Sequence, residues 1–315
     1  MSQTDSRLHP QSAALLAEMG SRPGSPSVEL ARAGHELLTA NLVAPGPAMA
    51  RVEELRMAGI GANPPVAVRR FVPEGAPRRA IVYLHGGGWV TGTLDTYDAL
   101  CRELARRADA QVFSVGYRLA PEAPSPAAFD DCEAALAGVL SDAPALGIDP
   151  GRVVLAGDSA GGHLALGVAR RRRHAGAAPP LAGLVLIYPV TDVGLDSASM
   201  TEFESGFYLS RDLMLWFWRQ FLGTDPQDLG DDPELAPLRA ADLGSLPPSF
   251  VVTAGCDILR DEGEALVERI RQQGGRSELL RVPGMLHGFI RFGSRIDGAG
   301  EALAAIADRV RKLTG

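Results

Sequence analysis

Cysteine is scarce: Cys101, Cys132 and Cys256 are the three in 315 residues. An odd number with no C-x-x-C spacing argues against a disulfide framework or a zinc site, and for a reducing compartment. Long apolar runs are also missing. The longest, LAGLVLIYPV at 181–190, falls well short of the roughly 20 residues a membrane-spanning helix needs. The opening MSQTDSRLHP has no basic segment leading into an apolar one, so no secretory signal is read there and a cytoplasmic location is expected. Nor is positive charge in excess: 31 Lys and Arg against 38 Asp and Glu give a net charge of −7, the wrong sign for a nucleic-acid surface. No fixed-period repeat or low-complexity tract is visible.

What is present is an alternation. Short β-branched runs occur at 66–72, 80–85, 111–117, 153–157, 184–190, 249–255 and 277–282. Amphipathic stretches of helix length lie at 96–108, 127–140, 161–173, 261–273 and 299–313. Strands alternating with helices predict an α/β architecture, a mostly parallel sheet covered on both faces. With 46% hydrophobic and 22% charged residues, the composition is that of a globular protein with one large core. Two segments stand outside the alternation. Residues 1–50 hold helical stretches between Pro/Gly clusters, and SMTEFESGFYLSRDLMLWFWRQFL at 199–222 is a long insertion. Ser210 reads as the N-cap of a helix through Phe221. Leu213, Trp216, Phe217 and Phe221 recur on it at helical spacing, which fits either a helix packed on the core or a lid lining a pocket.

Two glycine-rich strings suggest chemistry. In VVLAGDSAGGHLALG (153–167), Gly157-x-Ser159-x-Gly161 sits between a strand and a helix. That is the setting of a nucleophile elbow, a bend so tight that only small neighbours fit. Alone the motif also fits a merely tight strand–helix turn. In YLHGGGWVTG (83–92), three glycines directly follow an apolar strand. Their backbone N–H groups can turn toward a ligand, as an oxyanion site requires. The string lacks the endings of nucleotide-binding loops. A serine nucleophile needs a base, and where such an elbow is used an acid and then a histidine follow the serine. His163, His174 and His287 follow Ser159, and His163 sits on the helix that starts at the serine itself. Only His287 also follows an acid at a strand end, Asp257 in SFVVTAGCDILRDEG. Asp261 and Glu262 belong to the first turn of the next helix, where they suit its dipole. ARRRRHAG (169–176) reads as a solvated helix end.

With these pieces in order, the chain resembles the bacterial hormone-sensitive-lipase family of α/β-hydrolase esterases, from about residue 66 to the end. The likeness is carried by HGGGWVTG (85–92), YRLAPEAPSPAAFDDC (117–132), GDSAGGHLA (157–165), DILRDEG (257–263) and HGF (287–289). It implies the α/β-hydrolase fold, with a helical cap made of residues 1–50 and 193–225 over a catalytic core of 51–192 and 226–315. It implies Ser159 as nucleophile, Asp257 as orienting acid and His287 as base. The N–H groups of Gly87, Gly88 and Ala160 would receive the oxyanion. The substrate implied is a small ester of short to medium acyl length, with neither metal nor organic cofactor required. Trp89, Trp216, Phe217 and Phe221 are candidates for its pocket. The same triad could serve a lactonase, a deacetylase or an amidase, and the fold also serves as a non-catalytic receptor where the histidine is lost. A homodimer through an edge strand and the last helices is compatible with the family. Gly116 stands where the family has Asp, His163 where it often has Asn, and Ile258 where proline is common. None of these removes a catalytic group, but Ile258 leaves the backbone after Asp257 less fixed.

Overall fold

A computed structural model describes residues 6–20, 24–226 and 232–315. Of the expected cap, residues 1–5 and 21–23 therefore lie outside the described residues, as do 227–231 of the expected core. The strands are β1 (Arg51–Met57), β2 (Val66–Val72), β3 (Ala80–Leu84), β4 (Gln111–Gly116), β5 (Val153–Asp158), β6 (Gly183–Ile187), β7 (Ser249–Cys256) and β8 (Ser277–Leu286). They form one sheet in the order β1-β2-β4-β3-β5-β6-β7-β8. β2 is antiparallel to both neighbours, and every pairing from β4 to β8 is parallel. The helices are α1 (Pro10–Met19), α2 (Val28–Leu42), α3 (Asp98–Ala108), α4 (Ala127–Ser141), α5 (Ala143–Leu146), α6 (Ala160–His174), α7 (Ala198–Glu202), α8 (Arg211–Leu222), α9 (Arg260–Gln272) and α10 (Asp297–Thr314).

The central strands β3, β5 and β6 are buried along their whole length, as parallel strands covered on both faces must be. Alternate side chains of β3 go to opposite faces. Val82 and Leu84 join Phe129 of α4, Leu164 of α6 and Leu266 of α9. Ile81 and Tyr83 join Leu100 and Leu104 of α3 and Leu303 of α10. The expected α/β architecture is what the chain adopts.

Three features depart from the sequence reading. β1 is an added edge strand, RVEELRM, whose exposed charges mask it and whose identity comes from its ladder with β2. β8 runs to Leu286, past the expected end at 282. An irregularity between Ala254 and Cys256 lets Cys256 pair with Leu286, which carries the following His287 alongside Asp257. The arginine run of α6 is solvated only at its tip, from Arg173 onward. Arg170 binds Asp242 and the Pro233 carbonyl, and Arg171 binds Asp130, Glu133 and Glu234. Arg172 donates to the Pro179 carbonyl at 3.2 Å, and only Arg173 and His174 are exposed. The acids that recruit these side chains come from distant parts of the chain. The helix expected after Ser210 is α8, and the Ser210 hydroxyl accepts from Leu213 N–H at 3.1 Å. Among the described residues, no helix is long and apolar enough to cross a membrane.

Candidate active site

β5 ends at Asp158 and α6 begins at Ala160, leaving Ser159 alone in the bend with φ 55° and ψ −121°. A side chain at positive φ is strained and persists only where the surroundings hold it. Here Ser159 N–H donates to the Ile187 carbonyl at 2.8 Å, and the Ser159 carbonyl accepts from His163 N–H at 3.1 Å and Val190 N–H at 3.3 Å. The flanking glycines are required by space. A Cβ at Gly157 would come within 2.8 Å of the Leu84 carbonyl, and one at Gly161 within 2.6 Å of the His85 carbonyl.

The bend presents Ser159 Oγ to His287 Nε2 at 2.8 Å, and His287 Nδ1 lies 2.7 Å from Asp257 Oδ2. All three side chains are buried. With Nδ1–H donated to a carboxylate, the Nε2 lone pair faces the serine hydroxyl, the tautomer proton abstraction needs. The Tyr188 ring packs on the imidazole, centroids 4.7 Å apart. The stretch after Asp257, which Ile258 left open, is closed by two bonds: Leu259 N–H donates to Asp257 Oδ1 at 3.0 Å, and Ser199 Oγ donates to the Ile258 carbonyl at 2.8 Å.

Across from the serine, Gly87 and Gly88 adopt φ of 117° and 59°, a conformation that glycine tolerates without strain. A Cβ at Gly87 would strike Thr91, and one at Gly88 would fall within 2.5 Å of the Phe217 ring. Ala160 is the first residue of α6, where helix N–H groups lack internal partners and attract negative charge. Among the described residues, none of the N–H groups of Gly87, Gly88 and Ala160 has an intramolecular acceptor. The arrangement is a hydroxyl, a base aimed at it, an acid behind the base, and amides able to take up charge on an oxygen.

Several participants were not legible in the sequence. Asp158, beside the nucleophile, accepts from Tyr83 Oη (2.8 Å), Gly86 N–H (2.9 Å) and Tyr97 Oη (3.1 Å), which fastens the glycine loop to the elbow. Burial raises its pKa, against the pull of those bonds and of Arg291. Glu262 does more than suit a dipole. It is buried and accepts from the N–H groups of Thr191 (2.6 Å) and Asp192 (3.2 Å), anchoring the segment after β6, and burial pushes its pKa up to about 8. His163 lies among Trp89, Phe129, Trp218 and Phe221, with Nε2 3.2 Å from the Leu235 carbonyl. Burial drives its pKa down to about 4, so it is neutral at neutral pH. Gly116 needs no carboxylate because Asp131 binds Arg118 through its backbone N–H (2.9 Å) and its guanidinium (2.7 Å).

The free space beside Ser159 is about 50 Å³, lined among others by His35, Tyr208, Leu209, Met214, Phe217 and Arg291. Of the four aromatics expected at a pocket, Phe217 lines it. Trp89 and Phe221 stack on each other in the core, centroids 4.4 Å apart, and Trp216 packs edge-on against Phe217.

The alpha/beta hydrolase fold family model matches residues 81–291. The carboxylic ester hydrolase LipN of Mycobacterium tuberculosis is 38% identical over 79% of this chain and 68% of its own. The ethyl acetate hydrolase of Pseudomonas putida is 39% identical over 74% and 73%. Among solved structures, the hyperthermophilic esterase of the archaeon Pyrobaculum calidifontis superposes with a TM-score of 0.88 at 36% identity, over 97% of this chain and 98% of that one. The chain belongs to the α/β-hydrolase family, in its hormone-sensitive-lipase branch.

Proposed function

We propose that this carboxylic-ester hydrolase cleaves short- to medium-chain acyl esters through an acyl-enzyme on Ser159. His287 takes the hydroxyl proton as Oγ attacks the ester carbonyl, and Asp257 holds the imidazole and stabilises the imidazolium. Gly87, Gly88 and Ala160 N–H groups receive the oxyanion, where one such donor is worth about 3 to 4 kcal/mol of barrier. His287 then gives its proton to the departing alcohol. Water, deprotonated by the same base, frees the acid. The single observation that carries this reading is the continuous relay Asp257–His287–Ser159 at 2.7 and 2.8 Å.

Residues 1–50 and 193–225 act as the cap in this reading. In support, His35 of α2 and Met214 and Phe217 of α8 meet Ser159 across one cavity. The three cysteines are all buried and none stands in a C-x-x-C pair, which supports a reducing, cytoplasmic setting. A fluorophosphonate, which attacks only an activated serine, should form one adduct, on Ser159, and labelling should collapse in His287→Ala. An adduct that survives in Ser159→Ala would overturn the assignment.

A further inference from the structure

A second chamber adjoins the catalytic one. α2 faces α8 across an apolar cleft of about 280 Å³, against about 50 Å³ beside Ser159. Ala31, Gly34, Leu37 and Leu38 line one side, Leu213 and Phe217 the other. Leu30 and Leu37, also of this lining, are 57% and 62% exposed, two of only five large apolar side chains left open among the described residues. A concave apolar surface kept open in this way is a binding feature. Phe217 belongs to both chambers. Its ring lies so close on Gly88 that no Cβ could be interposed, so it forms the partition between them.

The chemistry decides which half of an ester the cleft takes. The leaving alcohol needs its proton from His287 Nε2 at hydrogen-bond distance, so it departs on the side of His287, Gly288 and Tyr208. The acyl group leaves the carbonyl carbon away from His287, so an apolar chain turns to the cap residues of the same cavity, Phe217 among them. Among the described residues of the cleft, Glu18 is the one charged side chain and is paired with Arg295 at 2.6 Å, so none of them would hold a charged chain end. Gly34 lines the cleft, and a Cβ there meets nothing within 4 Å among the described residues, so a side chain added at this position has room to grow.

Resting on the esterase reading above, we propose that this cleft is the binding site for a linear aliphatic acyl chain and that Phe217 is the gate a longer chain must displace to reach it.

The test measures kcat/KM for p-nitrophenyl octanoate and acetate with wild type, Phe217→Ala and Gly34→Leu. Removing the partition should raise the octanoate-to-acetate ratio, and plugging the cleft should lower it. Each change should be about tenfold or more, the discrimination one methylene commands in an apolar pocket. Gly34→Leu installs a better helix former on an open helix position, so it decides the matter even if Phe217→Ala folds poorly. A Gly34→Leu ratio within threefold of wild type would overturn the acyl site. A folded Phe217→Ala with an unmoved ratio would overturn the gate. Wild type inert toward every ester, unlike either result, would overturn the esterase reading and the acyl site with it.

Discussion

Gly161→Ala adds one methyl group where α6 leaves the nucleophile bend. On an open helix that exchange stabilises by roughly 1 kcal/mol. Gly161 is not open: its Cβ would come within 2.6 Å of the His85 carbonyl and closer still to that of Leu84, whereas real Cβ atoms keep at least 3.0 Å. Both obstacles are backbone at the end of β3, so neither can swing aside as a side chain would. The start of α6 must retreat, taking Ser159 and the Ala160 N–H with it. A misplacement of about 1 Å in reacting geometry costs about 10²-fold in rate, and forcing a methyl into a full site costs about 1–3 kcal/mol. The clash therefore outweighs the gain in propensity. Gly300→Ala on α10, where a Cβ meets nothing within 4 Å, isolates the propensity effect alone. Ester turnover and thermal unfolding on both variants decide the point. Gly161→Ala should lose about two decades of kcat and melt lower. Gly300→Ala should keep wild-type kcat and melt about 2 °C higher. A Gly161→Ala enzyme with most of its kcat and an unchanged Tm would refute the steric reasoning.

Burial sets the sign of a second prediction. Glu262 titrates near 4.5 when unfolded and about 8 when folded, so its contribution to stability is fully present below pH 4.5 and lost as pH rises through 8. Glu262→Gln keeps an acceptor for the Thr191 and Asp192 N–H groups and removes the titration, so at pH 9 its Tm should exceed that of wild type; an equal or lower Tm would contradict this. Asp158→Ala strands Gly86 N–H and two buried tyrosine hydroxyls, each worth about 1–3 kcal/mol when unsatisfied. It should lower both Tm and kcat, whereas Asp158→Asn, which retains acceptor capacity, should stay much nearer wild type. Equal losses in the two variants would show that hydrogen bonding is not what Asp158 supplies.

The parts legible in the sequence are those with local causes. β3, β5 and β6 read as strands because burial on both faces makes them near-continuous apolar runs. Ser159, Asp257 and His287 stood out because an elbow needs small neighbours and because acid and base follow strand ends in a fixed order. Helical spacing identified the apolar stripe of α8 without telling what lay beneath it: Phe217 meets the cavity, while Phe221 meets Trp89 in the core. The residues that escaped notice owe their roles to distant partners. His35 reaches the cavity from α2, and its Nδ1 lies 2.9 Å from Thr91 Oγ1. Glu262 looked like a dipole residue because the backbone it anchors lies before α7. β1 was hidden because its strand character belongs to its pairing with β2.

The proposed ester hydrolysis runs through Ser159. Its most direct test is hydrolysis of a p-nitrophenyl ester series by wild type beside Ser159→Ala. Wild type should turn these esters over, best on short to medium acyl chains, and lose about six decades in kcat without the hydroxyl, with thermal unfolding unchanged. Turnover that persists in Ser159→Ala, or a folded wild-type protein inert toward every ester, would contradict it.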